Sequence, residues 1–555
     1  MAKSSKTNVP PNRAPTDYKI GQDNIQPFGL DIHNPVFLIS GVAIVAFVIL
    51  TLMFQDGAAT FFGSMRQGVL SNFDSFLLLA ANIFVLFCLM LIVTPLGNVR
   101  LGGRDAKPDY TYVGWFAMLF AAGMGIGLMF FGVSEPLSHF SSSLGGTALE
   151  GGTGIRSDWA PLGAAAESAA GARNLGMAAT IFHWGLHPWA IYAVVALALA
   201  FFAYNRGLPL TLRSAFYPLL GDRVWGWPGH IIDILAVFAT LFGLATSLGF
   251  GTEQALAGLN FLFGTSTGGV AKVILIAAIT SVALVSVIRG LDGGVKVLSE
   301  VNMGLAALLL LFVIFVGPTA DIFRSFFVGG VEYAKQIIPL SNPFGRADVN
   351  FSQGWTAFYW AWWISWSPFV GMFIARVSRG RTVREFVICV TLIPTLVCVL
   401  WMATFGGTAI SQVVADAGAA VASADLPLQL FEMLAVLPLA QITSFIGIVL
   451  VLVFFVTSSD SGSLVIDTIT AGGKTEAPVA QRVFWCTFEG VVAATLLLVG
   501  GSQSLTALQA MAVSTGLPFA AVLLVMVVSV FIGLRAELKR DREAMARGGR
   551  AAAAD

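Results

Sequence analysis

Long apolar segments alternate with short polar segments along most of this chain. Twelve of the apolar segments have the length of about 20 residues that a helix needs to cross the hydrocarbon core of a bilayer. We therefore predict an all-α polytopic membrane protein with twelve transmembrane helices. The predicted spans cover residues 35–54, 75–97, 113–133, 178–203, 231–263, 269–288, 298–317, 355–376, 386–406, 438–472, 479–500 and 511–534.

The polar segments predict smaller elements. The first 34 residues contain no apolar stretch of the kind found in a signal peptide, so a short disordered tail is expected there. Residues 322–338 have the amphipathic pattern of a helix that lies along the membrane surface. A further short helix is expected at 426–437, and a short helix of mixed charge is expected after residue 534.

Composition agrees with this pattern, because 56% of the residues are hydrophobic and only 11% are charged. Soluble globular proteins carry about 25% charged residues, so that class is excluded. The four cysteines lie in apolar segments and lack the spacing of a disulfide framework or a zinc site.

The 31 basic residues are unevenly distributed, although the formal net charge is zero. Most of them fall on one side of the membrane if the N-terminus is cytoplasmic, as the positive-inside rule expects. We therefore predict a multi-pass protein of the plasma (inner) membrane with both termini in the cytoplasm. Four arginines after the eighth span are candidates for contact with anionic lipids, namely Arg376, Arg379, Arg381 and Arg384.

The eighth span contains the densest group of tryptophans in the chain, at positions 360, 362, 363 and 366. Trp363 and Trp366 are three residues apart, so on a helix they share a face and can form two walls of a pocket. A quaternary ammonium group donates no hydrogen bond and is held by such π-faces. The alternative is an aromatic belt at the membrane interface, but four tryptophans at this spacing favour a cage.

The fourth span supplies further aromatic side chains around Pro188, which is expected to kink the helix. Trp184, Trp189 and Tyr192 are candidates for the remaining walls of the cage. His183 and His187 are four residues apart, as in some metal sites, but the glutamate of an HExxH motif is missing. Structural histidines are the favoured interpretation.

The third span contains alternating glycines from Gly123 to Gly127. Glycine loosens a helix by about 1 kcal/mol relative to alanine, so this segment is expected to unwind and to pair with an interruption at Ser365–Pro368. Paired interruptions are typical of inverted-repeat transporters with a site at mid-membrane. The alternative is close helix packing through small residues.

Hydroxyl groups follow the apolar run of the tenth span, at Thr457 and Ser458. Together with unwound carbonyls they would suit a sodium ion. The alternative is a packing cluster that bonds back to its own helix. Asp460 is interpreted as an anchor at the cytoplasmic side, whereas Glu253 and Glu489 are functional candidates because they are intramembrane carboxylates.

Four segments follow one another in a characteristic order: FAAGMGIGLMFFGVSEP, FHWGLHPWAIY, FYWAWWISWSPFVGMFIARVSRGRTVREF and FFVTSSDS. In these segments the chain closely resembles the betaine/carnitine/choline transporter family. The resemblance implies two inverted five-helix repeats of the LeuT-like kind, preceded by two extra helices, and a trimeric assembly. The implied segments are a cytoplasmic N-terminal tail (1–34), two peripheral helices (35–112), the first repeat (113–317), an external surface helix and loop (318–354), the second repeat (355–534) and a short cytoplasmic C-terminal tail (535–555).

The resemblance also implies roles for individual residues. In glycine betaine carriers of the family the cage is formed by the residues that match Trp184, Trp189, Tyr192 and Trp363. The residues that match Trp366 and Phe369 lie on the substrate path and gate, and Trp366 also contacts substrate in some states. Backbone N–H groups of the glycine segment, at Met124 and Gly125, are expected to meet the substrate carboxylate.

For ion coupling, the resemblance implies one sodium site made by the hydroxyls of Thr457 and Ser458 with the backbone carbonyls of Ala121, Met124 and Phe454. A second sodium site looks altered, because Thr240 is present but Glu489 occupies the aligned position in the eleventh span. We hypothesise that Glu489 modifies ion binding there or carries a proton. Sodium-coupled members have glycine at the position of Gly127, whereas proton-coupled choline carriers resemble GMGID.

The sequence therefore predicts a sodium-coupled symporter of glycine betaine or a related onium solute, working by alternating access and without any cofactor apart from the coupling ion. The main alternative is a proton-coupled or exchange carrier of choline, carnitine, ectoine or dimethylsulfoniopropionate. An enzyme that uses a metal at His183 and His187 is a distant third. A channel is disfavoured, because a desolvated cage binds too tightly to conduct.

Overall fold

The computed structural model describes residues 14–123, 125–145, 158–163, 165, 168–289 and 295–552. Within these residues the strands are confined to one antiparallel pair, β1 (Asn24–Ile25) and β2 (Ile32–His33). The helices of the first half are α1 (Val36–Met53), α2 (Gln55–Val93), α3 (Tyr112–Gly123), α4 (Ile126–Leu144), α5 (Ala169–Trp184), α6 (Leu186–Tyr204), α7 (Tyr217–Leu220), α8 (Trp227–Phe263), α9 (Gly269–Arg289) and α10 (Val295–Val316). Those of the second half are α11 (Thr319–Ser341), α12 (Val349–Phe351), α13 (Phe358–Val377), α14 (Val383–Ala415), α15 (Ala420–Ser423), α16 (Gln429–Ala435), α17 (Ala440–Thr470), α18 (Val479–Gly500) and α19 (Ser504–Ala552).

Ten spans in the described part of the chain are long and apolar enough to cross a membrane, with α5 and α6 counted as one, and the bent pair α3 and α4 would make an eleventh. The molecule is therefore a nearly all-helical, multi-pass membrane protein. Twelve spans are not confirmed. The twelfth predicted span, the eighth in chain order, corresponds to α13, which is a helix but is not among the ten or eleven. Its tryptophan, serine and proline residues make it less apolar than the neighbouring spans.

The predicted third span is broken at its glycine segment, as the alternating glycines indicate. Gly125 lies between α3 and α4 and has a fully extended backbone, with φ −177° and ψ −175°. The axes of the two helices meet at 66°. The fourth span is also broken, between α5 and α6 at Gly185, three residues before the predicted kink at Pro188. Non-helical backbone at membrane depth is tolerated only where protein or a cavity surrounds it.

The interruption predicted at Ser365–Pro368 is wrong, because α13 runs without a break through this segment. Pro368 has no N–H group to donate to the carbonyl of Ile364, one turn earlier. The Ser367 hydroxyl donates to that carbonyl instead, at 2.6 Å. The acceptor that proline frees is thus satisfied inside the helix, and the helix continues.

The surface elements largely follow the sequence pattern. The predicted amphipathic helix at 322–338 corresponds to α11, and the short helix expected at 426–437 corresponds to α16. The helix expected after residue 534 is a continuation of α19. It is anchored to the preceding fold by an ion pair between Glu537 and Arg206, whose charged atoms are 2.9 Å apart.

The N-terminal segment is ordered from residue 14 onward, so the prediction of a disordered tail is wrong for residues 14–34. Tyr18 stacks on Trp225 with ring centroids 4.1 Å apart. At the other end of the segment Asp31 forms an ion pair with Lys474. The segment therefore joins the connection before α8 to the connection between α17 and α18, two regions of the predicted cytoplasmic side.

A buried arginine, Arg213, contacts three polar side chains on the predicted cytoplasmic side. Arg213 is 2% exposed and forms an ion pair with Asp233, which is fully buried and also accepts the backbone N–H of Arg213 at 3.0 Å. The Nη1 atom of Arg213 lies 3.3 Å from Nε2 of His33 and 3.2 Å from Nδ1 of His230. Burial and the positive charge of Arg213 lower the pKa of His33 to about 3. His33 is therefore neutral at physiological pH and can accept a hydrogen bond from the guanidinium.

Candidate functional site

Four aromatic side chains of the predicted cage meet where the break between α5 and α6 faces α13. Trp184 and Trp363 are in edge contact, with ring centroids 4.9 Å apart. Tyr192 lies 6.2 Å from Trp363 and 5.3 Å from Trp189. Each of the four side chains is at most 7% exposed. The break at Gly185 lets α5 contribute its last residue and α6 its first two turns to the same group of rings.

The other tryptophans of α13 have different surroundings. Trp362 stacks on Trp363 with centroids 4.7 Å apart, and Trp360 stacks on His187 at 5.2 Å. Trp363 donates its indole N–H to the carbonyl of His183 at 3.0 Å. Among the described residues, neither Trp360 nor Trp362 has a partner for its indole N–H. The contact of Trp362 with the site is therefore the stacking of its ring on that of Trp363.

Trp366 and Phe369 form a second aromatic pair, which contacts α8. Their ring centroids are 5.1 Å apart, and Trp366 donates its indole N–H to the carbonyl of Gly243 at 2.9 Å. The expectation that Trp363 and Trp366 are two walls of one pocket is met only in part, because the described residues show no ring contact between them. The two indoles are anchored to different helices.

The broken third span passes directly beside the cage. A Cβ atom on Gly127 would lie 2.9 Å from the ring of Trp184 and 3.2 Å from the ring of Trp362. Both distances are shorter than an ordinary van der Waals contact. Glycine at this position therefore allows the backbone to approach two tryptophans. Gly125 lies in the break itself, whereas Met124 lies outside the residues that the structure describes.

A buried carboxylate that the sequence analysis did not single out lies behind the cage. Glu135 on α4 is fully buried. Its Oε2 atom accepts the indole N–H of Trp184 and the hydroxyl of Tyr359, both at 2.6 Å. Its Oε1 atom lies 2.6 Å from Nδ1 of His183 and 3.3 Å from Nε2 of His139. Glu135 occurs in the quoted segment FAAGMGIGLMFFGVSEP, two residues past the predicted end of the third span at residue 133, so the rule that intramembrane carboxylates are functional candidates did not select it.

Close helix packing explains why this carboxylate is so deeply buried. A Cβ atom on Gly406 of α14 would lie 2.3 Å from the ring of Pro136, the residue after Glu135. Glycine therefore lets α14 approach α4 closely from the side. α5 and α13 supply Trp184, His183 and Tyr359. Four hydrogen-bond partners satisfy the carboxylate, which would otherwise be costly to bury.

The side chains of Glu135, His139 and His183 are close enough to suggest a metal site, with candidate ligand atoms within 4.8 Å of one another. However, Glu135 and His183 are in direct contact at 2.6 Å. Two ligands of one tetrahedral zinc ion would be about 3.4 Å apart, given bonds of about 2.1 Å. The second nitrogen of His183 is also occupied, by the Thr356 hydroxyl at 2.9 Å. The group is better described as a hydrogen-bonded network.

The metal pair considered from the sequence, His183 and His187, is separated in the structure. His187 lies 3.1 Å from the side-chain oxygen of Asn82, whereas His183 belongs to the network around Glu135. The two histidines therefore have different hydrogen-bond partners, although both rings contact Phe182 and Trp360.

The residues of the predicted sodium site are placed as follows. Thr457 donates its hydroxyl to the carbonyls of Val453 at 3.0 Å and Phe454 at 3.3 Å, which lie on its own helix. Thr457 and Ser458 are half-buried, and Ala121 lies in the last turn of α3. In this arrangement the Thr457 hydroxyl makes the back-bond to α17 that was considered as the alternative, while its oxygen retains lone pairs for a cation.

The residues of the predicted second ion site do not contact one another through hydrogen bonds in the described part of the chain. Thr240 donates to the carbonyl of Ala236 on its own helix at 2.7 Å. Glu489 is fully buried and accepts the hydroxyl of Ser459 at 2.9 Å.

Two further carboxylates were considered from the sequence. Asp460, expected as an anchor at the cytoplasmic side, is only 3% exposed. Glu253, the other intramembrane carboxylate named as a functional candidate besides Glu489, forms an ion pair with Lys272 and accepts the Ser504 hydroxyl.

The arginines after α13 are partly used by the protein itself. Arg381 is 3% exposed and bonds to Glu385 at 2.8 Å. Arg384 donates to the carbonyls of Ile92 and Thr94. Arg379 is partly exposed beside Asp109, at 3.2 Å. These contacts tie α13 and α14 to the segments that precede α3, and they occupy the guanidinium groups of Arg381 and Arg384 with partners inside the protein.

Comparisons with known proteins agree with one another. Residues 35–539 match the family described as BCCT, betaine/carnitine/choline family transporter. A glycine betaine/proline/choline transporter of Vibrio parahaemolyticus is 65% identical over 538 residues, which cover 96% of each chain. Glycine betaine transporter 1 of the same organism is 56% identical over 527 residues, which cover 94% of this chain and 97% of the relative. A glycine betaine/proline/choline/ectoine transporter of that organism is 54% identical over 533 residues, which cover 95% of this chain and 92% of the relative.

Proposed function

Because this chain belongs to the betaine/carnitine/choline transporter family, we propose that it is a sodium-coupled symporter of glycine betaine or a closely related onium solute. Membership makes it a membrane transporter and not an enzyme. Its substrate is a small molecule of the quaternary ammonium class. The choice of glycine betaine, the coupling ion and the mechanism are the content of the proposal.

The observation that carries the proposal is the group of four rings formed by Trp184, Trp189, Tyr192 and Trp363. A trimethylammonium group has its positive charge spread over methyl groups and is held by aromatic faces. Each such contact contributes about 2 kcal/mol when water is excluded, and these rings are almost completely buried. The break at Gly125 is two residues from Gly127, which packs against Trp184, and backbone N–H groups at this break would meet the substrate carboxylate.

The proposed cycle is alternating access between outward-open and inward-open states. The substrate enters along the path of Trp366 and Phe369 and is released on the other side of the cage. Two inverted five-helix repeats move relative to each other, both termini lie in the cytoplasm of the plasma membrane, and three copies form the assembly. These features are proposed from the sequence resemblance.

The relatives' names bear on the choice of substrate. One is named for glycine betaine, proline and choline, and another adds ectoine. A proton-coupled or exchange carrier of choline, carnitine, ectoine or dimethylsulfoniopropionate is the second candidate. The cage binds the onium head that several of these solutes share, so the tail of the molecule must decide among them.

The proposal is tested by uptake into proteoliposomes that contain the purified protein. We expect an imposed sodium gradient to drive accumulation of glycine betaine, and choline, proline, carnitine, ectoine and dimethylsulfoniopropionate to compete less well. Empty liposomes and liposomes with potassium in place of sodium are the controls. Accumulation that requires a pH gradient and proceeds equally well without sodium would favour the alternative.

Replacement of both Thr457 and Ser458 by alanine is expected to raise the sodium concentration for half-maximal uptake by about tenfold or more. The reason is that the loss of an oxygen ligand worth about 1.4 kcal/mol changes affinity tenfold. Sodium activation curves measured at saturating glycine betaine give the result. Thr468→Ala is a matched control, because its hydroxyl also bonds back to α17, at 2.8 Å, without a proposed ion contact. An activation curve identical to that of the control would refute this sodium site.

A second ion site at Thr240 and Glu489 is also part of the proposal, with Ser459 as the hydroxyl next to Glu489. Oε1 of Glu489 has no hydrogen-bond partner among the described residues. A buried carboxylate oxygen without a donor favours a nearby cation or proton. Uptake by Glu489→Gln with an unaltered number of sodium ions per substrate and an unaltered pH profile would exclude this site.

A further inference from the structure

The carboxylate of Glu135 lies directly behind two aromatic rings of the candidate site. It accepts charge-assisted hydrogen bonds from Trp184 and Tyr359, at 2.6 Å each. Trp184 belongs to the cage, and Tyr359 stacks beside Trp363 with centroids 5.6 Å apart and planes 24° from parallel. Hydrogen bonds to an ionised acceptor are about twice as strong as neutral ones, so both rings are held firmly.

The same contacts change the electrostatics of the rings. A cation is attracted to the face of an aromatic ring by the ring's own negative potential. An indole N–H or phenol O–H that donates to a carboxylate moves electron density toward the ring, since hydrogen-bonded groups polarise one another. In addition, the carboxylate is itself a negative charge near the cage in a region of low dielectric, where charges interact strongly.

Imidazoles are the only groups in the described part of the chain whose charge could offset that of Glu135 by direct contact. Among the described residues no lysine or arginine contacts Glu135, and its ionisable neighbours are the imidazoles of His139 and His183. Nε2 of His183 faces the Thr356 hydroxyl, and His139 packs its ring against Trp355 at 4.8 Å. The other two partners of the carboxylate, Trp184 and Tyr359, carry no charge.

We propose that Glu135 is a positioning and specificity-determining residue, which fixes the cage rings and favours substrates with a net positive charge over zwitterions. This inference rests on the proposed onium site. Choline carries one positive charge and no carboxylate, whereas glycine betaine carries both. Glu135 attracts the onium group of either solute, but it also repels the carboxylate of the zwitterion. Removal of its charge should therefore weaken choline binding more than betaine binding.

The test uses the full-length protein in proteoliposomes, with glycine betaine uptake as the readout and choline as a competitor. Glu135→Gln keeps the shape of the side chain and removes its charge. We expect the inhibition constant of choline to rise about tenfold and the KM of glycine betaine to rise about threefold or less, as a charge interaction across a low-dielectric site predicts. Glu135→Asp retains the charge and should retain the wild-type ratio of the two constants.

Several outcomes would overturn the inference. It fails if Glu135→Gln changes both constants by the same factor, as a merely structural role would, or if choline does not compete in the wild type. If Glu135→Gln does not reach the membrane, Tyr359→Phe replaces it. That variant removes one donor and leaves the charge less shielded, so the preference for choline should increase, and an unchanged or decreased preference would contradict the inference.

Failure of this inference can be told apart from failure of the proposed function. If Trp363→Leu impairs uptake while Glu135→Gln leaves the ratio of the two constants unchanged, the cage stands and only the role of Glu135 is rejected. If the wild type shows no sodium-driven uptake of glycine betaine, or if Trp363→Leu leaves that uptake unchanged, the proposed function itself is rejected. The inference about Glu135 is then rejected with it.

Discussion

Trp363→Leu is expected to raise the apparent KM for glycine betaine by about 30-fold or more. This ring contacts Trp184 and Tyr192, so it joins the parts of the cage that α5 and α6 contribute. Loss of one desolvated cation–π contact of about 2 kcal/mol corresponds to that factor. Leucine leaves an apolar side chain in the site but no π-face. Uptake measured over a range of glycine betaine concentrations checks the prediction.

Two further variants make this result specific. Trp363→Phe keeps a smaller ring and should cause a clearly weaker defect. Trp227→Leu removes a tryptophan that is 60% exposed and lies outside the cage, so its KM should equal that of the wild type. The amount of each protein in the membrane is measured in parallel. Normal KM in a well-expressed Trp363→Leu variant would remove Trp363 from the substrate site.

Asp233→Asn is expected to lower the free energy of unfolding by about 3–5 kcal/mol, the usual cost of removing one partner from a buried ion pair. Arg213 would remain buried with its charge unpaired, next to two histidines that carry no negative charge. Asparagine can still accept the backbone N–H of Arg213, so the loss reports mainly on the charge. Thermal unfolding of the purified protein in detergent gives the measurement.

The N-terminal segment provides a second readout for this variant. His33 is held against Arg213, so a displaced guanidinium should release residues 14–33. Trypsin should then cleave faster after Lys19, whose side chain is exposed but whose backbone is ordered in the wild type. Glu332→Gln is the matched control, because Glu332, 16% exposed, is paired with Lys335, which is 65% exposed, so that substitution leaves the lysine in contact with water. Exposed ion pairs contribute about 0–1 kcal/mol. Equal melting temperatures for the two variants would show that the Arg213 ion pair does not stabilise this side of the molecule.

Much of the fold follows from the apolar pattern alone. The predicted spans correspond to helices because backbone groups inside a bilayer must be paired within the same segment. The break at Gly125 was predictable, since alternating glycines weaken a helix locally. The continuity of α13 was not, because it depends on one serine hydroxyl that replaces the donor missing at Pro368. Local sequence rules treat serine before proline as a sign of a break.

The aromatic residues of the candidate site could be found from the sequence, but the hydrogen-bonded network around Glu135 that holds them could not. Trp184 and Trp363 attract attention because tryptophan is unusual in the middle of a span. Glu135 was missed because its four partners come from α4, α5 and α13, and the distance along the chain hides the network. The ordered N-terminal segment was missed for the same reason. Its polar composition suggests disorder, whereas its partners, such as Trp225 and Lys474, lie hundreds of residues away.

The continuity of α13 also has a mechanical consequence. Trp363 is fastened to the carbonyl of His183, and Trp366 is fastened to the carbonyl of Gly243. Because α13 is continuous between these two indoles, it connects the C-terminal end of α5 to α8 through one hydrogen bond to each. If α8 shifts at the Trp366 contact, we expect the ring of Trp363 to move with it, so that the contacts of Trp366 with α8 and of Trp363 with α5 change together.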